Sequence, residues 1–272
     1  MIDADAFREF EHDGWQRAAE HYVDAFGAVT AQAAGPLLDA VAAGSATQLL
    51  DVATGPGFVA AEAASRGARV IGVDFSSAMI AAAGRRYHDI LFREGDAEAL
   101  AFDGDTFDAV VMNFGLLHLA RPEAALAEAM RVLRPGGRYA FTVWAPPDQA
   151  VGFGMVLRAI ERCGRLDVGL PEGPPFFRFS NADECRTELG RAGFVGASVR
   201  TLPLRWTLSS PDDVYEAISR GGVRTAAILR LQTADAQAAI RAAVRDEAEQ
   251  HRTADRIVLP MPAVLALGMK PT

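Results

Sequence analysis

Apolar and polar positions alternate in a regular order over residues 48–144. Short apolar runs such as TQLLDVA, ARVIGVD and FDAVVMN are each followed by a stretch with helical spacing of its apolar residues. Apolar runs that end at glycine or polar residues are typical of buried parallel strands, and strands that alternate with helices predict a sheet covered on both faces. We therefore expect a doubly wound, mostly parallel α/β sheet with N-terminal helices and a C-terminal helical cap.

The regions on either side of this core have a different pattern. Residues 5–43 have helical periodicity, and Gly35-Pro36 predicts a break into two helices. Near the other end, Pro203 interrupts a strand pattern, and RIVLPMPAVLALGMK predicts one final strand. We expect a single domain that consists of an N-terminal helical lid (1–47), a ligand-binding core (48–144), a substrate cap (145–180 and 211–255) and late strands (194–208 and 256–270).

The most informative segment is LLDVATGPGFVA, in which Gly55 and Gly57 lie where a strand must turn into a helix. Glycine lets a ligand approach bare backbone, and the spacing Gly-x-Gly-x-x-Ala also fits the dinucleotide-binding fingerprint. Acidic residues stand at three successive strand ends, namely Asp51, Asp74 and Asp96. Because sheets of this type bind ligands at the carboxyl ends of their strands, we expect these side chains to belong to one cleft.

The motifs LDVATGPG, GVDFSSAMI, GDAEALAF, FDAVVMNFGLLHL and RVLRPGGRYAF follow one another in this core. The series resembles the class I S-adenosylmethionine (SAM)-dependent methyltransferases, in particular the ubiquinone/menaquinone-biosynthesis-like group. The closing segment IVLPMPAVLALGMK is similar to the end of that group's members. One departure is Ala53, where many members have the first glycine of the turn. The resemblance implies the Rossmann-like methyltransferase fold, with S-adenosyl-L-methionine as cofactor and S-adenosyl-L-homocysteine (SAH) as its product.

The resemblance also implies roles for individual residues. The glycine turn would surround the methionine portion of the cofactor, Asp74 would hold the ribose hydroxyls, and Asp96 with Ala97 would bind the adenine edge. The segment after the fourth strand would lie beside the sulfonium. The implied cofactor-binding residues are Tyr22, Asp51, Ala53, Gly55, Gly57, Asp74, Phe75, Met79, Asp96, Ala97, Asn113 and Phe114.

The candidate general base is His118, which follows the fourth strand. A phenol or alcohol acceptor would benefit from such a base. The alternative is that His118 only holds the turn before Pro122. Tyr22 either contacts the cofactor from the lid or packs against Trp15 and Phe26, and the sequence does not distinguish the two. The histidines have no metal-binding spacing, so no metal site is expected.

An apolar, largely aromatic cluster surrounds a loop rich in proline and glycine. Arg178 in this loop is a candidate to meet an acidic or carbonyl group, although a solvated loop arginine is the commoner arrangement. The cluster predicts a mostly apolar small organic acceptor, such as an aromatic, quinone-like or polyketide-like metabolite, with O-methylation favoured. The predicted acceptor contacts are Trp144, Met155, Phe177 and Arg178.

The charge of the chain narrows its partners. Asp and Glu number 35 against 27 Lys and Arg, for a net charge of −8. Nucleic-acid binders need basic surface, so nucleic acid is excluded and a small-molecule partner is expected. No apolar run approaches the roughly 20 residues that cross a bilayer, and the acidic start lacks the features of a signal peptide. We expect a cytoplasmic protein without stable membrane insertion, and the sequence allows a homodimer.

Two other functions stay open besides a SAM-dependent methyltransferase. An NAD-dependent oxidoreductase with a Rossmann-type site would use the glycine turn and Asp74, but it leaves Asp96-Ala97 and residues 107–119 unexplained. A non-catalytic protein of the same fold would lack an acceptor cavity beside Asn113. The methyltransferase accounts for the most motifs.

Overall fold

A computed structural model describes residues 3–272 of the chain. Its α-helices are α1 (Ala4–Tyr22), α2 (Ala28–Thr30), α3 (Ala34–Ala40), α4 (Phe58–Ser65), α5 (Ser77–Arg86), α6 (Pro122–Val132), α7 (Val151–Cys163), α8 (Ala182–Arg191), α9 (Asp212–Gly221), α10 (Arg224–Arg230) and α11 (Ala234–Glu249). Its strands are β1 (Gln48–Val52), β2 (Arg69–Asp74), β3 (Leu91–Glu94), β4 (Phe107–Asn113), β5 (Leu133–Trp144), β6 (Val195–Leu202), β7 (Arg205–Leu208), β8 (Arg252–Thr253), β9 (Arg256–Pro260) and β10 (Ala263–Met269).

The main sheet has seven strands in the order β3-β2-β1-β4-β5-β10-β6. The first five strands pair in parallel, and β10 is antiparallel to both of its neighbours. The predicted doubly wound, mostly parallel sheet is therefore confirmed. Strand β1 lies between β2 and β4, so the strand order reverses beside it, and open α/β sheets bind ligands at such a point.

Prolines divide the late strands between two sheets. Pro203 separates β6, at the edge of the main sheet, from β7, which belongs to a three-stranded sheet of order β7-β9-β8. Met261 and Pro262 likewise separate β9 from β10, so the prediction of one final strand is wrong. Proline has no N–H to give to a strand ladder, and the chain changes sheet at these positions.

The lid region is one nearly continuous run of helical turns. A π-helical turn (Val23–Gly27) follows α1, and a short 3-10 turn (Ala31–Ala33) leads from α2 into α3. The predicted break at Gly35-Pro36 is wrong, because both residues lie in the first turn of α3. A proline there loses no intrahelical hydrogen bond, since the first N–H groups of a helix have no partner within it.

Trp206 on β7 joins the small sheet to the lid. Its side chain is 1% exposed and stacks on Phe26 with ring centroids 5.2 Å apart. Its indole N–H donates to the backbone oxygen of Ala25 at 3.1 Å. Because this contact joins residues far apart in sequence, it fixes the lid against the C-terminal half of the chain.

We expect Trp206→Phe to lower the free energy of unfolding by about 1–3 kcal/mol, because the buried Ala25 oxygen loses a donor. Urea unfolding followed by circular dichroism measures the change. Leu231→Ala is the control, since Leu231 is 52% exposed and its truncation should stay within about 0.5 kcal/mol. Equal stability of the two variants would contradict the structural role of the indole N–H.

Candidate active site

The carboxyl ends of β1, β2 and β4 border a cleft of about 610 Å³, which we call the first cleft. Ten of the residues predicted to bind the cofactor line it, namely Tyr22, Ala53, Gly55, Asp74, Phe75, Met79, Asp96, Ala97, Asn113 and Phe114. The remaining lining residues are Trp15, Gly115, His118 and Leu119. Asp51 and Gly57 are not among the lining residues, and the structure gives each a different role.

The turn after β1 has positive φ at Ala53 (54°), Gly55 (53°) and Gly57 (86°). A Cβ on Gly57 would come within 2.9 Å of the Phe92 ring, so Gly57 supports the turn from behind. A Cβ on Gly55 would meet nothing within 4 Å, since this glycine faces the open cleft. Ala53 adopts a left-handed conformation, which costs a non-glycine residue about 1 kcal/mol. The surrounding structure must therefore impose the shape of this turn.

Asp74 joins the turns that follow β1 and β2. Its Oδ2 accepts from the Gly55 N–H and its Oδ1 from the Ser76 N–H, both at 2.9 Å. Burial raises the pKa of Asp74 to about 6, and these backbone hydrogen bonds oppose the rise. Each carboxylate oxygen keeps a lone pair for another donor, so Asp74 can accept two hydroxyl groups of one ligand.

Asp51 is fully buried below the same turn. Its Oδ2 accepts from the Thr54 hydroxyl at 2.6 Å and from the Ala60 N–H at 3.1 Å. Its Oδ1 has no hydrogen-bond partner within residues 3–272. Burial raises the pKa of Asp51 to about 7. A buried carboxylate oxygen without a donor is costly, so this atom fits a site that a ligand's ammonium group, or a water bound to it, completes.

Asn113 is the last residue of β4, and Phe114 follows it. Strand β4 pairs with β1 on the side opposite β2. The Thr142 hydroxyl donates to Asn113 Oδ1 at 2.6 Å, and Asn113 Nδ2 donates to the backbone oxygen of Thr30 at 3.2 Å. Phe114 has a φ of 55°, and its ring stacks on Trp144 with centroids 4.1 Å apart. A bulky residue in this conformation is rare, and such strain is concentrated at functional sites.

The far end of the first cleft is formed by Phe75, Met79, Asp96 and Ala97. Asp96 Oδ1 accepts from the backbone N–H of Glu98, and its Oδ2 lies 2.6 Å from an Arg8 nitrogen. Arg8 is on α1, so the lid contacts the acid that was expected to bind a ligand amino group. A ligand donor there would share the carboxylate with Arg8.

A second cleft of about 1170 Å³ adjoins the first. Trp15, Tyr22, Phe114 and His118 line both clefts and therefore lie where the two meet. The other residues around the second cleft are largely apolar and come from the lid and the cap: Phe26, Thr30, Trp144, Phe153, Leu157, Leu166, Phe176, Phe177, Ile218, Gly221, Gly222, Val223, Arg224, Thr225 and Ile228. Concave, mainly apolar clefts with few polar groups are typical of small-molecule sites.

At the junction, His118 is held by a buried carboxylate. Its Nδ1 lies 3.0 Å from Oε2 of Glu11, which is 2% exposed. Trp15 meets the imidazole edge-on at a centroid distance of 4.7 Å. With Nδ1–H donated to Glu11, a neutral imidazole has its free lone pair on Nε2. His118 is thus arranged to accept a proton as well as to hold its turn.

Tyr22 is also at the junction. Its hydroxyl donates to Thr30 Oγ1 at 3.4 Å, and its ring packs against Trp15 and Phe26. Burial raises the pKa of Tyr22 to about 12, so its hydroxyl stays protonated at neutral pH. The expected packing of Tyr22 within the lid is therefore present, and its ring also borders both clefts, while its contact with a cofactor stays a prediction.

Two of the four predicted acceptor contacts are placed elsewhere. Trp144 and Phe177 line the second cleft, whereas Met155 is fully buried in the core. Arg178 forms ion pairs with three glutamates of α6 and α8, and its guanidinium lies over the Phe179 ring. Its charge is neutralised inside the protein, so it is a structural residue and the expectation of an acceptor contact is corrected.

Sequence reasoning missed two polar residues of the lid. Glu11 lies four residues before Trp15 on the same helical face, and that spacing could have indicated a carboxylate turned inward. Gln16 hydrogen-bonds to Ser76, Ser77 and the Ala78 N–H at the start of α5. Together these residues hold α1 across both clefts.

Residues 3–272 contain no group of three His, Cys, Asp or Glu side chains that could hold a metal ion. In the same range, every helix is too short or too polar to cross a membrane.

Comparisons with known proteins agree with this geometry. A family model described as a methyltransferase domain matches residues 50–141. Demethylmenaquinone methyltransferase from Beutenbergia cavernae is 40% identical over 121 residues, which cover 43% of this chain and 50% of the relative. The enzyme of that name from Mycobacterium tuberculosis is 33% identical over 169 residues, covering 58% of this chain and 71% of the relative. The chain spans about half the length of the first of these relatives.

Solved structures share the fold at low identity. Phosphoethanolamine N-methyltransferase 2 of Haemonchus contortus, solved with S-adenosylhomocysteine, aligns with a TM-score of 0.60 and 19% identity, over 98% of this chain and 60% of that one. The 4+2 cyclase SpnF aligns with a TM-score of 0.51 and 23% identity, over 89% and 82%. Proteins with different reactions in their names thus share the fold, so the reaction must be argued from the site.

We expect the ligand-free protein to lose stability as the pH rises from about 5 to about 8. Burial raises the pKa of Asp51 to about 7 and that of Asp74 to about 6, from the ordinary aspartate value of 3.8. In this range the native state still binds protons that the unfolded chain has released, so their contribution is lost as the pH rises through the native pKa values. Urea unfolding at several pH values measures the slope.

The variant Asp51→Asn should reduce this slope, because it removes the group with the higher native pKa. Asp89→Asn, which makes the same change in an exposed side chain, is the matched control. A wild-type stability that rises with pH over this range would contradict the protonation of these buried carboxylates.

Proposed function

Because the chain belongs to the class I SAM-dependent methyltransferase family, in its ubiquinone- and menaquinone-biosynthesis group, we propose that it transfers the methyl group of SAM to a mostly apolar small organic acceptor. One observation carries the proposal: the first and second clefts meet at a junction, and Trp15, Tyr22, Phe114 and His118 line both clefts there. Methyl transfer requires two ligands to touch at one point in a site closed to water.

The residues around the first cleft offer a partner for each part of SAM. Asp96 and Ala97 would bind the adenine edge, Phe75 and Met79 would pack on its ring, and Asp74 would accept the two ribose hydroxyls. The turn after β1, with the orphaned Asp51 oxygen behind it, would hold the methionine portion. When bound, SAM supplies a methyl group on a positively charged sulfur, which is already a good electrophile.

The second cleft favours a planar aromatic acceptor. Its walls carry the rings of Phe26, Trp144, Phe153, Phe176 and Phe177, which suit contact with another ring. The relatives named above are demethylmenaquinone methyltransferases, and this name indicates a quinone-type acceptor. We therefore propose an acceptor of the phenol or quinol class. The proposal that its hydroxyl oxygen is methylated rests on His118 alone, whose Nε2 could take the hydroxyl proton.

His118 would act as the general base. The acceptor O–H would give its proton to His118 Nε2 as the oxygen attacks the methyl carbon, and the charge on the imidazole would be stabilised by Glu11. Phe114, braced by Trp144, would fix the angle of approach, and the lid would exclude water. The product would be the methyl ether, with SAH as the leaving group.

The two alternatives are less consistent with the site. A dinucleotide oxidoreductase is not supported by the family match, which covers the carboxyl ends of β1, β2, β3 and β4. A non-catalytic protein of this fold was expected to lack an acceptor cavity beside Asn113, and the second cleft adjoins its neighbour Phe114. Methyl transfer is thus the function that the site supports best.

We expect Asp74→Ala to weaken SAH binding by about 10- to 100-fold, because two charge-assisted hydrogen bonds are lost, worth roughly 1.5–3 kcal/mol. Isothermal titration calorimetry with SAH measures the dissociation constant. Asp89→Ala, an exposed carboxylate outside the first cleft, is the control and should bind SAH as the wild type does. Unchanged affinity in Asp74→Ala would remove Asp74 from the cofactor site.

Turnover with a panel of phenols and quinols in the presence of SAM tests the reaction itself. The expected result is SAH together with a product heavier by one methylene unit, whose NMR methyl signal identifies an ether rather than a carbon-bound methyl group.

His118→Asn should lower kcat by about 100- to 10,000-fold while SAH affinity is unchanged. A carbon-bound methyl group would refute O-methylation, and full activity of His118→Asn would refute the base.

A further inference from the structure

Among residues 3–272, Arg224 at the start of α10 is the one permanently charged residue that lines the second cleft, and no aspartate or glutamate lines it. The other polar side chains of the lining are Thr30, Thr225, Tyr22, His118 and the indoles of Trp15 and Trp144. Arg224 is half-buried, and the mainly apolar side chains around it do not compete for its N–H donors, which favours binding of an anion beside it.

Few of the N–H donors of the Arg224 guanidinium have a hydrogen-bond acceptor within residues 3–272. Nη1 donates to the backbone oxygen of Pro171 at 2.7 Å, and this is the one hydrogen bond of the side chain within residues 3–272. No carboxylate of these residues lies within 4.0 Å of it, whereas Arg178 pairs with three glutamates. A guanidinium has five N–H donors, so most of those of Arg224 are free for a ligand.

The fixed orientation of Arg224 suggests the shape of that ligand. Because Nη1 is held by Pro171, the edge formed by Nε and Nη2 is free to donate two parallel hydrogen bonds. This edge matches the two oxygens of a carboxylate. Glu11 and Glu172 line a neighbouring cavity of about 670 Å³ that also includes Arg224, but Glu11 is bound to His118 and neither forms an ion pair with the guanidinium.

We propose that Arg224 binds a carboxylate of the methyl acceptor, so that the substrates are phenolic or quinol ring acids. This inference rests on the proposed function, since it assigns the second cleft to the acceptor. Arg224 would thus make the acceptor contact that was expected of Arg178, whose charge is already paired with glutamates. In a chain of net charge −8, a local cation is what makes an anionic acceptor favourable.

The test compares an acid with its neutral ester. Isothermal titration calorimetry on SAH-saturated protein would use 6-hydroxy-2-naphthoate and its methyl ester, which differ in charge at the end opposite the hydroxyl. We expect the wild type to bind the acid about 10- to 100-fold more tightly, as for hydrogen bonds to a charged group. Arg224→Met should bring this ratio close to one and leave ester affinity within about twofold.

Arg230→Met is the matched control, because Arg230 ends the same helix and is exposed. It should keep the preference for the acid, and Arg224→Lys should keep part of it. A wild type that binds the ester as tightly as the acid, or that binds no acid, would overturn the role of Arg224. So would an Arg224→Met variant that keeps the preference.

Failure of the Arg224 proposal and failure of the proposed function give different results. If the protein binds SAH and methylates neutral naphthols without preferring acids, the proposed function stands and the role of Arg224 is refuted. If it binds neither SAM nor SAH, the proposed function fails and the inference fails with it.

Discussion

The site depends on one buried carboxylate that ties two strand ends together. Asp74 accepts the N–H of Gly55 from the turn after β1 and that of Ser76 from the turn after β2. It does so while 6% exposed, and burial raises its pKa to about 6. The cost is tolerated because the same group fixes the shape of the first cleft. A ligand that donates two hydroxyl groups would return part of the lost solvation, so binding and local stability are coupled.

Helix α1 of the lid contacts both clefts. Helix α1 presents Glu11 to His118, Trp15 to both clefts and Gln16 to the start of α5. The carboxylate that orients the proposed base therefore comes from the element that covers the cofactor. Exclusion of water and orientation of the proposed base therefore depend on the same helix.

The elements that the sequence predicted well are those that local periodicity determines. Apolar runs located the parallel strands, and acids directly after them, such as Asp74 and Asp96, had to lie at one edge of the sheet. Glu11 was missed because its partner is 107 residues away. Arg178 was misassigned because its phenylalanine neighbours suggested a ligand site, while its ion pairs arise from packing α6 and α8 together. Tertiary contacts decide which charged side chains are already satisfied.

The family match informs the cofactor site more than the acceptor site. The family match ends at residue 141 and covers the strand ends that form the first cleft, so it bears on the cofactor. Most of the second cleft comes from outside that range: Phe26 of the lid, Phe153 of α7, and Ile218 and Arg224 of the cap. The family match therefore does not inform these walls. The acceptor must therefore be inferred from this chain's own cleft, where we propose that the aromatic rings suit a planar molecule and that Arg224 suits a carboxylate.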